Sequence, residues 1–349
     1  MRSLWIGWVA AVLVMAGWND VAGQPNRAVD SIVAHQMREQ HIPGAAVAVV
    51  QNGRVVHSKG YGIANLEWQP PVTDRTVFKI ASVSKQLIAS GVMLLAQEGK
   101  LKTSDPVSKY YPDAPASWAP LTLAHFMNHT GGVVREGAFD PYRQQPDSVV
   151  VKGAFGRDLL FPVGSKWSYC NTCYFALADI ISRLSGQPWE EYFQTRVFRP
   201  LGMTATGVTT ATGLIPYRAD GYVWRNGAWS RAEDIPAVRP SGAFVSTVAD
   251  LAKWELTLEG NNLLTAASKA EMWAPTVLTD GTRHGYGYGW SLDSLAGRPR
   301  ISHGGALTGF RTTYMRFPEQ RLAVIVLTNV ASANPDRIAE GIAGAFGIR

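Results

Sequence analysis

Apolar residues near the amino-terminal end of the chain fall into short, strand-like segments. Residues 45–50 and 54–61 predict two β-strands joined at Asn52-Gly53, a dipeptide typical of a tight hairpin turn. An amphipathic stretch over residues 27–40 precedes them, with apolar side chains at helical spacing, and Pro43-Gly44 ends it. A helix followed by a strand hairpin is therefore expected here.

Strand-like character returns only near the other end of the chain. Four strands are expected there, over residues 286–292, 300–303, 310–317 and 322–327, followed by a closing helix over residues 338–346. Between the two ends the pattern is mainly helical. Helices are expected over residues 82–99, 122–129, 171–184, 189–197 and 250–259.

This order of elements predicts an α+β fold, an α/β sandwich with an all-α domain. We expect one antiparallel sheet, built from both chain termini and flanked by helices, with a mainly helical domain inserted between its halves. Residues 24–81 and 285–349 would form the discontinuous α/β domain, and residues 82–284 the inserted domain.

The first 23 residues are typical of an export signal. Arg2 supplies a positive start, residues 4–17 are mostly apolar, and Val21-Ala22-Gly23 offers a cleavage site of small residues. The apolar run is shorter than the roughly 20 residues that a membrane span needs. We therefore expect a secreted or periplasmic protein with a cleaved signal over residues 1–23; an uncleaved anchor is the alternative.

Composition narrows the function classes. The chain has 349 residues, of which 46% are hydrophobic and 17% charged, as in globular proteins. Its net charge of +6 is spread without a basic run, so no nucleic-acid partner is expected. The seven histidines show no metal-ligand spacing, and no cofactor is expected. The oligomeric state is left open.

Candidate chemistry begins with Ser82 and Lys85. Ser82 stands where a helix is expected to begin, and Lys85 follows one turn later on the same face. A serine at the positive end of a helix, with an amine nearby, can act as an activated nucleophile. A capping serine followed by a solvated lysine is the alternative.

Two later segments could complete such a site. Tyr169 and Asn171 lie in a loop immediately before a predicted helix, where both can point into a cleft. His303 ends a predicted strand, and Gly304, Gly305 and Ala306 follow it. Glycines there would let a ligand approach the backbone closely. The site would then hold proton-handling groups and a place for a developing oxyanion.

In this order, Ser82-x-x-Lys85, Tyr169-x-Asn171 and His303-Gly304-Gly305 resemble the three motifs of class C β-lactamases, D-alanyl-D-alanine carboxypeptidases and related serine esterases. The resemblance extends over residues 28–347. Further similar stretches are residues 42–47, 128–132, 198–203 and 241–247.

The resemblance implies a role for each residue. Ser82 would be the acylated nucleophile, and Lys85 and Tyr169 would exchange its proton, with either as the base. Asn171 would hold Lys85 and the substrate amide. The oxyanion hole would be formed by the backbone N–H groups of Ser82 and Ala306, and His303 would flank the pocket.

Two departures from the family pattern affect the substrate and the redox state. Lys-Thr-Gly is usual where this chain has His303-Gly304-Gly305, so a permanent cation and a hydroxyl are missing. Uncharged esters or amides are then favoured, although Arg311 could replace the cation; a solvated strand arginine is the expected alternative. Cys170 and Cys173 are expected as two small, buried thiols, with a disulfide as the alternative.

The sequence thus predicts an exported serine hydrolase that cleaves a small ester, amide or short peptide through an acyl-enzyme. A penicillin-recognising binding or regulatory protein, which acylates but turns over slowly, is the alternative. A thiol redox protein using Cys170 and Cys173 is a third hypothesis, and the absence of a thioredoxin-like βαβ pattern argues against it.

Overall fold

The computed structural model describes residues 23–210, 213–235 and 239–349. The predicted export signal over residues 1–23 lies outside the described residues except for Gly23. The helices in the described part are α1 Gly23–Glu39, α2 Ser84–Gln97, α3 Leu123–Met127, α4 Asp147–Lys152, α5 Asn171–Ser185, α6 Trp189–Phe193, α7 Val248–Glu259, α8 Ala266–Met272 and α9 Pro335–Ala345. None of these described helices is long and apolar enough to cross a membrane.

A six-stranded antiparallel sheet in the order β10-β11-β12-β13-β1-β2 forms the centre of the molecule. The strands of the described residues are β1 Gly44–Gln51, β2 Arg54–Gly62, β3 Phe78–Lys79, β4 Gly207–Val208, β5 Tyr222–Arg225, β6 Ala228–Arg231, β7 Phe244–Ser246, β8 Thr276–Val277, β9 Arg283–His284, β10 Ser291–Leu295, β11 Arg298–Leu307, β12 Phe310–Phe317 and β13 Leu322–Thr328. Strands from both chain ends meet at β1 and β13, so the predicted fold class is confirmed.

Helices cover both faces of this sheet. On β1, Val47 and Val49 join a cluster with residues of α1 and α9, while Ala46 and Ala48 belong to the larger core that contains α2, α5 and α7. A strand buried on both faces is apolar without alternation, as residues 45–50 are. The predicted boundary between a discontinuous α/β domain and an inserted domain stays a prediction.

Most predicted elements are confirmed, with ends that lie within two or three residues of the predicted ones. Strand β12 has the predicted bounds. The strand expected over residues 286–292 is wrong for most of its length, because β10 begins only at Ser291. Gly289 has a φ of +74°, and a Cβ there would lie 2.8 Å from the carbonyl oxygen of Lys85. A tight turn therefore passes over the start of α2, and only glycine fits its closest approach.

Candidate active site

Ser82 lies in a 3₁₀ turn, Ala81–Val83, that precedes α2, so the helix begins two residues later than expected. Its side chain caps neither element, which makes the capping interpretation wrong. Ala81 has a φ of +50°, a conformation that a residue with a Cβ seldom adopts. The first N–H that bonds back within the turn is that of Val83, to the Ile80 carbonyl at 3.2 Å. The preceding N–H, that of Ser82, is therefore free of that turn's hydrogen bonds.

Strands β11 and β12 hold this turn in place. The Thr312 hydroxyl donates to the Ile80 carbonyl at 3.0 Å, and Gly305 lies directly against the same carbonyl. A Cβ on Gly305 would be 2.4 Å from that oxygen, whereas a Cβ on Gly304 would have only one neighbour, at 3.8 Å. Gly305 is thus required by packing, and Gly304 is not.

Lys85 is fully enclosed beneath Ser82. Its Nζ donates to Asn171 Oδ1 at 2.9 Å and to the Ser241 carbonyl at 2.8 Å, and lies 3.3 Å from Ser82 Oγ. Burial lowers the pKa of Lys85 well below its ordinary value, and the charge of Arg239 acts in the same direction. A neutral amine has two N–H donors and one lone pair, and the two pure acceptors leave the lone pair for Ser82.

Tyr169 lies on the other side of the same hydroxyl. Its ring stacks against Lys85 Nζ at 4.6 Å and against the Arg135 guanidinium at 5.1 Å. Burial raises the pKa of Tyr169 above its ordinary value, although a hydrogen bond with Ser82 opposes that shift. Tyr169 therefore keeps its proton near pH 7.

Asn171 is the first residue of α5, and two charged residues orient its amide. Asn171 Nδ2 donates to Glu136 Oε1 at 2.5 Å, and Arg239 Nη2 donates to Glu136 Oε2 at 3.0 Å. With its NH₂ group held by Glu136, the Asn171 side chain presents its oxygen to Lys85.

Strand β11 supplies the opposite wall of the cleft. Strand β10 pairs only with Arg298–Ser302, so residues 303–307 have an open edge in the described structure. Leu307 and Phe310 flank a two-residue turn and therefore form a hydrogen-bonded pair of β11 and β12. Going back along β11 from Leu307, the N–H groups point alternately toward β12 and away from it. By that alternation the N–H groups of Gly304 and Ala306 face the open edge, where an oxyanion donor is needed.

His303 is buried, with 5% of its surface exposed. Its Nδ1 lies 2.7 Å from the Gly304 carbonyl and its Nε2 2.9 Å from the Tyr286 hydroxyl. Burial is the largest cause that lowers the pKa of His303, to about 3. His303 is thus a neutral side chain with both nitrogens occupied.

A cleft of about 820 Å³ connects these groups. Its lining includes all eight predicted site residues except Lys85, which lies beneath it. Arg311 also lines the cleft and is half-buried, and its Nη1 donates to the carbonyls of Leu307 and Phe310, both at 2.9 Å. The expectation of a solvated strand arginine is therefore wrong. None of the described carboxylates forms an ion pair with it.

Cys170 and Cys173 are bonded to each other as a disulfide in the first turn of α5. Both are buried, as expected, but the expectation of two free thiols is wrong. The start of a helix brings residues three apart to one face, so the two sulfurs can meet there.

Sequence reasoning missed several residues of the site. Glu136 and Arg239 orient Asn171, the Ser241 carbonyl accepts from Lys85, and Trp167 lines the cleft. Ser241 lay in a stretch already noted as similar to the family. Glu136 and Arg239 carried no local signal, because their pairing joins segments 103 residues apart. In the described residues no cluster of His, Cys, Asp and Glu could hold a metal ion.

Comparisons with known proteins identify the family and the fold. Penicillin-binding protein 4* of Bacillus subtilis (strain 168) is 27% identical over 314 residues, which cover 83% of this chain and 69% of that protein. The D-amino acid amidase from Ochrobactrum anthropi SV3 superposes with a TM-score of 0.78 at 22% identity, covering 92% of this chain and 98% of that one. The hydrolase EstCE1, described as having promiscuous acyltransferase activity, gives 0.79 at 22% identity, covering 93% and 99%.

These solved structures share the fold of this chain. A family model described as Beta-lactamase matches residues 29–346, which is most of the chain. The resemblance inferred from the three motifs is thereby confirmed, and the chain belongs to the beta-lactamase family of serine hydrolases.

Proposed function

We propose that this protein hydrolyses an ester or amide through an acyl-enzyme on Ser82. The observation that carries the proposal is the hydrogen bonding of Lys85. Its two N–H groups have the acceptors Asn171 Oδ1 and the Ser241 carbonyl, and its third contact is Ser82 Oγ. A buried neutral amine in that geometry is a general base directed at the serine hydroxyl.

The acylation step follows from these positions. Ser82 Oγ attacks the carbonyl carbon of the substrate while its proton passes to Lys85 Nζ. The oxyanion that develops is stabilised by the N–H groups of Ser82 and Ala306, each worth about 10²–10³ in rate. The Tyr169 hydroxyl beside Ser82 then donates its proton to the leaving group. Lys85 returns the proton taken from Ser82 to the Tyr169 oxygen.

Deacylation reverses these roles. A water molecule attacks the acyl carbon, its proton passes to the amine, and the proton returns to Ser82 Oγ as the acid product leaves. Lys85 must be neutral at the start of each half-reaction. Asn171 keeps that amine oriented throughout, since Glu136 fixes its amide.

The substrate is proposed to be a small ester, amide or short peptide. The neutral state of His303 and the missing hydroxyl at Gly304 support a substrate that needs no cation at that point of the strand. The names of similar proteins include a D-amino acid amidase and a penicillin-binding protein, which support amides and peptides beside esters. The half-buried Arg311 is the group that would favour an acidic substituent.

Export of the protein is also part of the proposal. The pattern of residues 1–23 supports it, and so does the disulfide between Cys170 and Cys173, since disulfides persist in oxidising compartments.

The test compares the wild-type protein with Ser82→Ala. Three substrates are assayed in parallel: a p-nitrophenyl ester, a chromogenic cephalosporin and a D-alanyl-D-alanine peptide. We expect turnover of at least one, its loss in Ser82→Ala, and a transient adduct on Ser82 by mass spectrometry. Ser90→Ala is the control, because that serine lies on α2, the helix that follows Ser82, and its hydroxyl donates to the Gln86 carbonyl.

Unchanged turnover in Ser82→Ala would overturn the proposal. A stable adduct on Ser82 without product release would instead support the slowly deacylating, penicillin-recognising alternative.

A further inference from the structure

Five groups beside the cleft, from four buried residues and Gly304, lie in one line of four hydrogen bonds. The Cys170 amide donates to His129 Nδ1 at 3.2 Å, and His129 Nε2 lies 3.2 Å from the Tyr286 hydroxyl. The same hydroxyl lies 2.9 Å from His303 Nε2, and His303 Nδ1 lies 2.7 Å from the Gly304 carbonyl. We call this set, from Cys170 to Gly304, the His129–Tyr286–His303 chain.

The backbone groups at the two ends of the His129–Tyr286–His303 chain determine which atom donates in each of its hydrogen bonds. The Gly304 carbonyl can only accept, so His303 carries its proton on Nδ1, and its Nε2 must accept from Tyr286. The Cys170 N–H can only donate, so His129 Nδ1 is an acceptor and its proton lies on Nε2, from which Tyr286 accepts. Each imidazole then has one proton, and each nitrogen has a partner.

The surroundings favour these neutral forms. His129, His303 and Tyr286 are all buried, and burial lowers the pKa of both histidines while it raises the pKa of Tyr286. The charged and titratable groups nearby are Lys85, Arg135, Tyr169 and Tyr174. Tyr174 approaches Tyr286 but donates its own proton to the Met127 carbonyl at 2.8 Å.

One other pattern of hydrogen-bond donors is conceivable among these groups. If Tyr286 donated to Tyr174 instead, His303 Nε2 would need a proton of its own, and His303 would be a buried cation beside Lys85. Burial of an unpaired charge opposes that state.

We propose that the His129–Tyr286–His303 chain holds His303 in its Nδ1–H tautomer and thereby positions the open edge of strand β11 against the loop of Tyr169 and Asn171. His303 is then a positioning residue, with neither nitrogen left to bind substrate. Tyr286 and His129 are positioning residues of the same kind. The chain starts at Cys170, between Tyr169 and Asn171, and ends at Gly304, two residues before the Ala306 N–H, so it spans the two walls of the cleft.

The catalytic part of this inference rests on the proposed function, while the tautomers do not. Nitrogen NMR of protein labelled at histidine reads the tautomers directly, and a His303→Gln protein identifies the His303 signals by their loss. At pH 7 we expect His303 as the Nδ1–H tautomer and His129 as the Nε2–H tautomer. A cationic His303, or one protonated on Nε2, would overturn the chain.

The kinetic test uses Tyr286→Phe, which removes the shared hydroxyl and keeps the ring. We expect kcat on the p-nitrophenyl ester to fall about tenfold with little change in KM, because the edge carries a donor used in the transition state. The tautomer populations of His303 and His129 should change in the same variant. Tyr111→Phe is the control: it removes another buried hydroxyl, bonded to Asp179 at 2.6 Å, and should leave kcat and tautomers unchanged.

The outcomes separate the two proposals. No turnover and no adduct in the wild type would overturn the acyl-enzyme, while the NMR would still report on the chain. The expected tautomers with an unchanged kcat in Tyr286→Phe would overturn the positioning role.

Discussion

Lys85 and Arg316 are both buried basic side chains, and they differ in their partners. Arg316 Nε lies 2.7 Å from a Glu255 carboxylate oxygen, and the Tyr314 hydroxyl donates to the same carboxylate at 2.7 Å. Lys85 has an amide oxygen, a backbone carbonyl and a hydroxyl instead, and no described carboxylate forms an ion pair with it.

The hydrogen-bond partners of Arg316 and Lys85 decide whether each buried side chain is charged. Burial works against the charge of Arg316, but the charge and hydrogen bonds of Glu255, with smaller contributions from Tyr314 and Glu259, together outweigh it, and the pKa of Arg316 is raised. Burial lowers the pKa of Lys85, and the charge of Arg239 lowers it further. A paired buried cation stays charged and holds the fold together, whereas one with only neutral partners can lose its proton and act as a base.

Replacing Lys85 should give the largest effect on activity. In Lys85→Met we expect kcat/KM on the ester to fall by about 10²–10⁴-fold, because the general base is lost. We also expect a higher melting temperature at pH 7. The unfolded chain keeps this amine protonated up to its ordinary pKa of 10.5, while the folded protein disfavours the proton. Lys85 therefore costs stability in full below its folded pKa, and this cost decreases as the pH rises from that pKa to 10.5.

Thermal unfolding at several pH values checks the sign of that effect. The gain in melting temperature of Lys85→Met should shrink as the pH rises toward 10.5. A gain independent of pH would show that Lys85 is not neutral in the folded protein.

Replacing Arg316 should lower stability and leave activity unchanged, which is the opposite of the effects expected for Lys85→Met. Arg316→Met leaves Glu255 as an uncompensated buried charge, and we expect a loss of about 3–5 kcal/mol in the free energy of unfolding. Denaturant titration measures that loss. At temperatures where the variant remains folded, kcat/KM should equal that of the wild type, and a large fall in kcat would contradict a purely structural role.

The smallest expected effect concerns Arg239. In the proposed mechanism activity needs the neutral amine of Lys85, so we expect activity to fall as the pH drops through the pKa of Lys85. Arg239→Gln removes a charge that lowers that pKa, and the acid limb of kcat/KM should shift to higher pH. At pH 7 the loss should be less than about tenfold, since burial is the larger cause of the lowered pKa.

The control for this shift is Arg196→Gln. Arg196 also forms an ion pair, with Glu98 at 3.2 Å, but it contacts none of the groups around Ser82. The acid limb of kcat/KM in Arg196→Gln should coincide with that of the wild type. An acid limb that stays in place in Arg239→Gln as well would show that a group other than Lys85 controls it.

Much of the fold could be predicted from the sequence because its signals are local. The apolar run of β1, the hairpin at Asn52-Gly53 and the aromatic and β-branched residues of β12 each lie within one segment. The strand expected over residues 286–292 failed because its aromatic residues resemble a strand, while the glycines between them lie close to the carbonyls of Met272 and Lys85. The close approach that requires those glycines is a tertiary contact.

The sequence by itself determined the order of the elements and the three motifs that identify the family, since periodicity and motif spacing are properties of neighbouring residues. Only the tertiary structure decided the lowered pKa of Lys85, the pairing of Cys170 with Cys173 and the neutral state of His303. The acceptors of Lys85 stand 86 and 156 residues along the chain, and its burial depends on segments that meet only in the folded protein. A pKa depends on those surroundings, so no local pattern could supply it.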